Sequence, residues 1–144
     1  MNSAEWFKIY RLRTDPSYGA PVCDICGKPV WDRPDLHHAI VMKRHVQGWP
    51  KKRRGLIDVP MNICVLHRFP CHQSAHGRNY RLLVAVQIVR YGWAAIDEWV
   101  RGLPFQCSYW DDRRALITDM EWHRGFVDDQ EAIEIVEVEL PWIL

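Results

Sequence analysis

Residues 67–76 read HRFPCHQSAH, and this short stretch does more than any other to decide the fold. It contains two histidines, His72 and His76, that are four residues apart. Side chains four apart on a helix project from the same face, so these two are expected to reach one metal ion. The composition predicts a helix over residues 70–90, with Pro70 in the first turn, where its missing N–H is no loss.

A second set of metal ligands surrounds this stretch. Cys23 and Cys26 form a Cys-x-x-Cys pair about forty residues before it. Structural zinc is usually held by two such close pairs of Cys and His side chains. His67 and Cys71 are the expected second pair, with Cys64 as the alternative ligand. Because Cys64 alternates with apolar residues in a strand predicted over 63–67, the pattern favours a buried thiol there.

The third ligand of the histidine site is expected from a strand predicted over residues 35–42, which contains His37 and His38. Neighbouring residues on a strand point to opposite faces, so only one of these two is expected to bind the ion. The other can take a proton from water, a role that suits imidazole because it titrates near neutral pH. Three protein ligands leave open positions at which a phosphate oxygen can bind.

Taken together, these residues resemble the HNH endonuclease family over about residues 18–80. The matching string is Cys23-x-x-Cys26, Asp35-Leu36-His37-His38, Asn62, His67, Cys71, His72 and His76. The resemblance implies an α+β fold with a small ββα-metal (HNH) core, a Cys/His zinc knuckle and flanking helices. Together with composition and charge along the chain, it divides the chain into three expected segments. Residues 1–20 form an N-terminal helix and lead-in, residues 21–80 the nuclease core, and residues 81–144 a helical extension with an acidic end.

The resemblance also implies a role for each residue. His38 is the counterpart of the general base, and Asn62 of the asparagine that braces the hairpin loop without binding metal. The implied ligands of one divalent catalytic ion (Mg, Mn, Ni or Zn) are His37, His72 and His76. The implied ligands of one structural zinc are Cys23, Cys26, His67 and Cys71. The sequence departs from the family at the last pair, which is usually Cys-x-x-Cys; here a histidine comes first and three residues intervene.

The charge of the chain is divided unevenly along its length, although the net charge is only +1. Residues 1–80 carry 13 Lys/Arg and 6 Asp/Glu, whereas residues 81–144 carry 6 and 12. A basic half suits a polyanion. DNA is therefore the expected partner, with RNA left open. The predicted phosphate-contacting residues are Lys43, Arg44, Lys51, Lys52, Arg53, Arg54 and Arg78.

The acidic C-terminal residues 119–139 are not expected to touch DNA. They are expected either to contact a protein partner or to cover the basic face. Within them, residues 131–140 (EAIEIVEVEL) are rich in β-branched side chains. That composition predicts either a late strand or a flexible acidic tail that orders on a partner.

The cysteine count and the lack of apolar segments bear on the compartment. Five cysteines are an odd number for a disulfide framework. No apolar run approaches the roughly 18 residues that span a bilayer, and the N-terminus lacks the apolar region of a signal peptide. We therefore expect a cytoplasmic protein without a membrane partner. The family resemblance implies a bacterial or phage-infected cell, because small HNH proteins are common in phages and mobile elements.

The sequence thus predicts a metal-dependent endonuclease that hydrolyses phosphodiester bonds. It would nick one strand, or cut both as a dimer or with a partner. The alternative is a non-catalytic zinc module that binds nucleic acid or protein, which would need neither His38 nor Asn62. A cytotoxic nuclease of the colicin kind is a third reading, and it would call for an immunity protein and a delivery domain.

Overall fold

The computed structural model of the chain describes residues 3–77, 79–104 and 128–144. Its elements form the mixed α+β architecture that the sequence predicts. The four strands pair as two antiparallel ribbons: β1 (Thr14–Asp15) with β2 (Ala20–Pro21), and β3 (Asp35–His38) with β4 (Ile63–Leu66). The α-helices are α1 (Ser3–Arg13), α2 (Gln73–Ala75), α3 (Tyr80–Tyr91), α4 (Trp93–Gly102) and α5 (Asp129–Glu139).

The ribbon of β3 and β4 is the centre of the fold. Its register pairs His37 with Cys64 and His38 with Ile63. All four residues of β4 are buried, which explains its continuous apolar composition. The strand predicted over residues 35–42 ends earlier than expected, at His38. The connection between the strands contains three short 3-10 helices: Lys43–Val46, Lys51–Ile57 and Pro60–Asn62.

The single helix predicted over residues 70–90 is wrong. The chain instead makes a π-helical turn over Arg68–His72, then the short helix α2, and begins a new helix, α3, at Tyr80. A local turn separates the two helices, in which the Ser74 carbonyl accepts hydrogen bonds from the backbone N–H groups of Gly77 and Asn79. Glycine and asparagine are frequent turn residues, so this break was readable in the sequence.

Both predictions for residues 131–140 are also wrong, because this segment belongs to helix α5. Asp128 caps the helix by accepting a hydrogen bond of 2.8 Å from the backbone N–H of Glu131. Ala132, Val136 and Leu140, four residues apart, are buried. That spacing places them on one helical face, and this periodicity outweighs the strand preference of the β-branched residues.

Polar side chains of α3 connect this helix to the central ribbon and to the residues around Cys23 and Cys26. The amide Nε2 of Gln87 donates to the carbonyls of Pro60, Met61 and Ile63 at 3.0–3.1 Å. Three residues later, Arg90 forms an ion pair with Asp24 of the knuckle. Helix α3 therefore supports the ribbon and the knuckle together.

The apolar residues of the helices pack in the hydrophobic core. Leu83, Val86 and Ile88 of α3, for example, are buried in the core. Within the described ranges, none of the helices combines the length and the apolar character needed to cross a membrane.

Candidate metal centres

Three histidines converge beside the central ribbon. One ligand nitrogen from each of His37, His72 and His76 can be chosen such that all lie within 4.8 Å of one another, so this cluster could hold a metal ion. The centroids of the three rings are 4.9–5.4 Å apart. They line a cavity of about 320 Å³, together with Leu36, His38, Met42 and Lys43.

Two separate elements bring these histidines together. His37 is buried on β3, near the end of the strand. His72 and His76 flank α2 as its N-cap and C-cap, and both have right-handed helical backbone angles. The expected i, i+4 relationship therefore exists over this one turn, although the long helix does not.

Asp35 fixes the ring of His72. A carboxylate oxygen of Asp35 lies 2.8 Å from His72 Nδ1, and the other oxygen lies 3.5 Å from Nε of Arg68. A hydrogen bond from Nδ1 to a carboxylate leaves Nε2 as the nitrogen with a free lone pair. Carboxylates commonly orient metal-binding histidines in this way. Asp35 belongs to the family motif, but no role was predicted for it.

His38 lines the same cavity and is held by a second carboxylate. Its Nε2 lies 2.7 Å from Oδ1 of Asp58, and the two side chains are only 8% and 10% exposed. The ring therefore has one nitrogen committed to a carboxylate and one, Nδ1, left to act as an acceptor. Asp58 was not predicted as a site residue; it follows the 3-10 helix Lys51–Ile57 in the long basic connection between the strands.

Asn62 braces the connection between the strands. Its Oδ1 accepts hydrogen bonds from the backbone N–H groups of Ile40 and Val41 at 2.8–2.9 Å. Its Nδ2 donates to the carbonyls of Val41 and Ile57, also at 2.8–2.9 Å. Asn62 is fully buried, and it does not belong to the metal cluster of His37, His72 and His76. It therefore fixes the loop that begins directly after His38.

The second cluster combines three thiols and one imidazole. The ligand atoms of Cys23, Cys26, His67 and Cys71 all lie within 4.8 Å of one another, so this cluster could hold a metal ion. The turn after Cys23 requires Gly27, whose φ of +72° is rarely adopted by residues with a side chain. Trp142 also packs there, and a Cβ built on Gly27 would lie only 2.5 Å from its ring.

His67 is oriented for this cluster by a backbone carbonyl. Its Nε2 lies 3.1 Å from the Pro29 oxygen, to which it can donate. Its Nδ1 then carries the free lone pair, and it lies 3.3 Å from the Cys26 sulfur and 3.9 Å from the Cys71 sulfur. Three thiols and one imidazole within 4.8 Å of one another are a donor set that suits zinc.

Two thiols of this cluster, those of Cys23 and Cys71, hold their protons more tightly than an ordinary thiol when no ion is bound. Burial raises the pKa of Cys23 above the ordinary thiol value of 9.0, despite opposing backbone hydrogen bonds. Burial, reinforced by the neighbouring Cys23, raises the pKa of Cys71 to about 12. Any metal that binds here must therefore displace protons.

Cys64, the alternative zinc ligand, lies elsewhere. It is fully buried on β4, with its sulfur 4.0 Å from the Leu83 carbonyl of α3. Burial also raises its pKa strongly. It belongs to neither of the two metal clusters found in the described ranges. The interpretation as a buried thiol therefore agrees with its position.

The residues predicted to contact phosphate occupy several places. Lys43 lines the histidine cavity, whereas Lys51, Lys52 and Arg54 line a neighbouring cavity, and Arg53 lines neither. Arg44 lies on the 3-10 helix Lys43–Val46. Arg78 lies outside the described residues, as does the first part of the acidic segment 119–139.

The two clusters differ in what their chemistry permits. Thiol and imidazole ligands arranged as four donors form the closed type of site that stabilises a fold. Three imidazoles beside an open cavity form the type of site that keeps positions free for a reactant. None of the known protein families, curated proteins or solved structures compared with the chain matches it.

Proposed function

We propose that this chain is a metal-dependent endonuclease of the HNH type, which hydrolyses phosphodiester bonds in DNA. The observation that carries the proposal is the shared cavity of His38 and the three converging histidines. A possible metal site and a carboxylate-held imidazole thus face the same space. Binding alone would need no such pairing, whereas hydrolysis needs both an electrophile and a base.

The protein's own groups divide the proposed reaction between them. His38 takes a proton from water through Nδ1, while Asp58 holds the ring through Nε2. The water oxygen then forms a bond to phosphorus as the bond to the leaving oxygen breaks, and that oxygen takes a proton from solvent. A divalent ion bound by His37, His72 and His76 would supply Lewis acidity for the charge that develops on the phosphate.

The Cys/His cluster supports this site without joining it. Cys71 is a ligand of the proposed zinc, and the next residue, His72, is a ligand of the proposed catalytic ion. A zinc bound at the knuckle would fix the turn from which His72 projects. We therefore assign the zinc a structural role.

The test is cleavage of supercoiled plasmid by the purified full-length chain. The chain is incubated with Mg²⁺, Mn²⁺ or Ni²⁺ in separate reactions, with a chelator-treated sample as the control. A nuclease yields nicked or linear DNA with at least one of the ions, and it yields no cleaved DNA after chelation. A non-catalytic zinc module would bind the plasmid and leave it supercoiled with every ion, and that result would overturn the proposal.

A further inference from the structure

A second cavity lies next to the histidine cavity, and its lining is basic. It has a volume of about 650 Å³, which is within the range of roughly 300–1,000 Å³ typical of ligand pockets. The charged residues that line it are Lys43, Lys51, Lys52, Arg54, Glu5 and Asp58. Four cations thus face two carboxylates, and one of these, Asp58, is hydrogen-bonded to His38.

The two cavities adjoin at a defined place. Lys43 lines both of them. Asp58 lines the basic cavity while its carboxylate holds His38, which lines the histidine cavity. An extended polyanion with one phosphate at the histidines could therefore continue past Lys43 into the basic cavity.

The four basic residues at 51–54 differ in their positions relative to this cavity. Lys51 and Lys52 are exposed and line the cavity. Arg53 is also exposed and lies on the same 3-10 helix, but it does not line the cavity. Arg54 is partly occupied, because it donates to the backbone carbonyls of Trp49 and Gln47 at 3.1 and 3.0 Å.

We propose that the basic cavity is a phosphate-binding groove for the DNA strand beside the scissile bond. Lys51 and Lys52 contact backbone phosphates in it, and Lys43 contacts the phosphate between the two cavities. Arg54 shapes the groove through its carbonyl bonds, and Arg53 makes no phosphate contact. This inference rests on the proposed function for the position of the scissile bond, but the groove itself can be tested by binding alone.

The first experiment compares three single substitutions by the salt dependence of DNA binding. Fluorescence anisotropy of a labelled duplex is measured with the zinc-loaded full chain, without added catalytic ion, and gels verify that the DNA stays intact. Each phosphate contact contributes about 0.9 to the log–log slope on duplex DNA. Lys51→Ala and Lys52→Ala should each lower the slope by about that amount. Arg53→Ala, the matched control, should leave the slope unchanged.

Equal loss of slope in all three variants would overturn the proposed groove. Residues 51–54 would then act only as diffuse positive charge. No loss in Lys51→Ala and Lys52→Ala would overturn it as well. Melting temperatures verify that the variants are folded. These outcomes do not depend on cleavage, so an inactive wild-type chain would refute the proposed function without deciding the groove.

The second experiment places the groove relative to the scissile bond. Phosphates on either side of the cleaved position are replaced singly by neutral methylphosphonates. At one flank, the replacement should weaken wild-type binding but have little further effect on the Lys51→Ala/Lys52→Ala double variant, because interacting groups are non-additive. Additive losses at every flanking position would contradict the proposed path of the strand.

Discussion

Asp58 holds His38 by a hydrogen bond of 2.7 Å between its Oδ1 and the ring Nε2. Both side chains are buried, so little water competes for this bond. The carboxylate orients the ring and favours the tautomer in which Nε2 carries the hydrogen. That tautomer leaves Nδ1 as the acceptor that a general base needs.

Substituting Asp58 should therefore slow cleavage without weakening metal binding. Asp58→Asn keeps the size of the side chain but removes its charge. We expect the single-turnover rate to fall by up to about 10⁴-fold, as it does when the carboxylate that orients a histidine base is replaced by its amide. The metal concentration that gives half-maximal rate should stay at the wild-type value. Asp97→Asn, which removes a carboxylate on α4 paired with Arg101, is the control. A wild-type rate in Asp58→Asn would show that the hydrogen bond between Asp58 and His38 has no part in the reaction.

The knuckle should bind one zinc ion and depend on it for folding. Cys71→Ser should abolish tight zinc binding, and it should destabilise the N-terminal half because structural zinc contributes directly to folding. Cys64→Ser should retain the zinc, because Cys64 lies against α3. Metal analysis of the purified variants and thermal melts measure both effects. Zinc retained in Cys71→Ser and lost in Cys64→Ser would place the site at the other cysteine.

Zinc affinity should fall as the pH falls. The raised pKa values of Cys23 and Cys71 mean that both thiols are protonated at neutral pH in the metal-free chain. Zinc must displace those protons, so acid favours the metal-free form and alkali favours the zinc form. Competition with a zinc chelator between about pH 6 and 8 should give an affinity that rises steeply with pH. A flat profile would mean that the thiols are not the ligands.

Asn62→Ala should destabilise the protein even with zinc bound. The substitution removes four buried hydrogen bonds to the loop after His38. Each buried group left without a partner costs about 1–3 kcal/mol, so we expect the free energy of unfolding to fall by at least about 2 kcal/mol. Urea unfolding of the zinc-loaded chain measures this. Asn79→Ala is the matched control, since Asn79 Nδ2 donates one part-buried hydrogen bond to Ser74 Oγ. Equal losses of stability in the two variants would argue against a bracing role for Asn62.

The sequence predicted the ligand clusters better than the elements that carry them. Spacing grouped the knuckle ligands, with Cys64 as the alternative, and paired His72 with His76. The choice of His37 over His38 as the third histidine ligand came from the family resemblance. Spacing could not find Asp58, which lies twenty residues from His38 and reaches it only through the folded connection. The role of Asp35 required the same knowledge of tertiary contacts.

The errors in secondary structure have local causes. The break between α2 and α3 depends on a turn around Gly77 and Asn79, whose residue types indicate a turn but were not used to divide the predicted helix. In α5, the β-branched residues favoured a strand, but burial of Ala132, Val136 and Leu140 decides for a helix. Tertiary packing often overrides intrinsic preference in this way.

The most direct test compares His37→Ala with His38→Ala in plasmid cleavage over a range of metal concentrations. His38→Ala should leave metal affinity nearly unchanged and lower the saturated rate by about 10²–10⁴, as the loss of a general base does. His37→Ala removes one of three ligands, so its activity should return in part at high metal concentration. Rescue of His38→Ala by excess metal, without rescue of His37→Ala, would contradict the roles proposed for the two histidines.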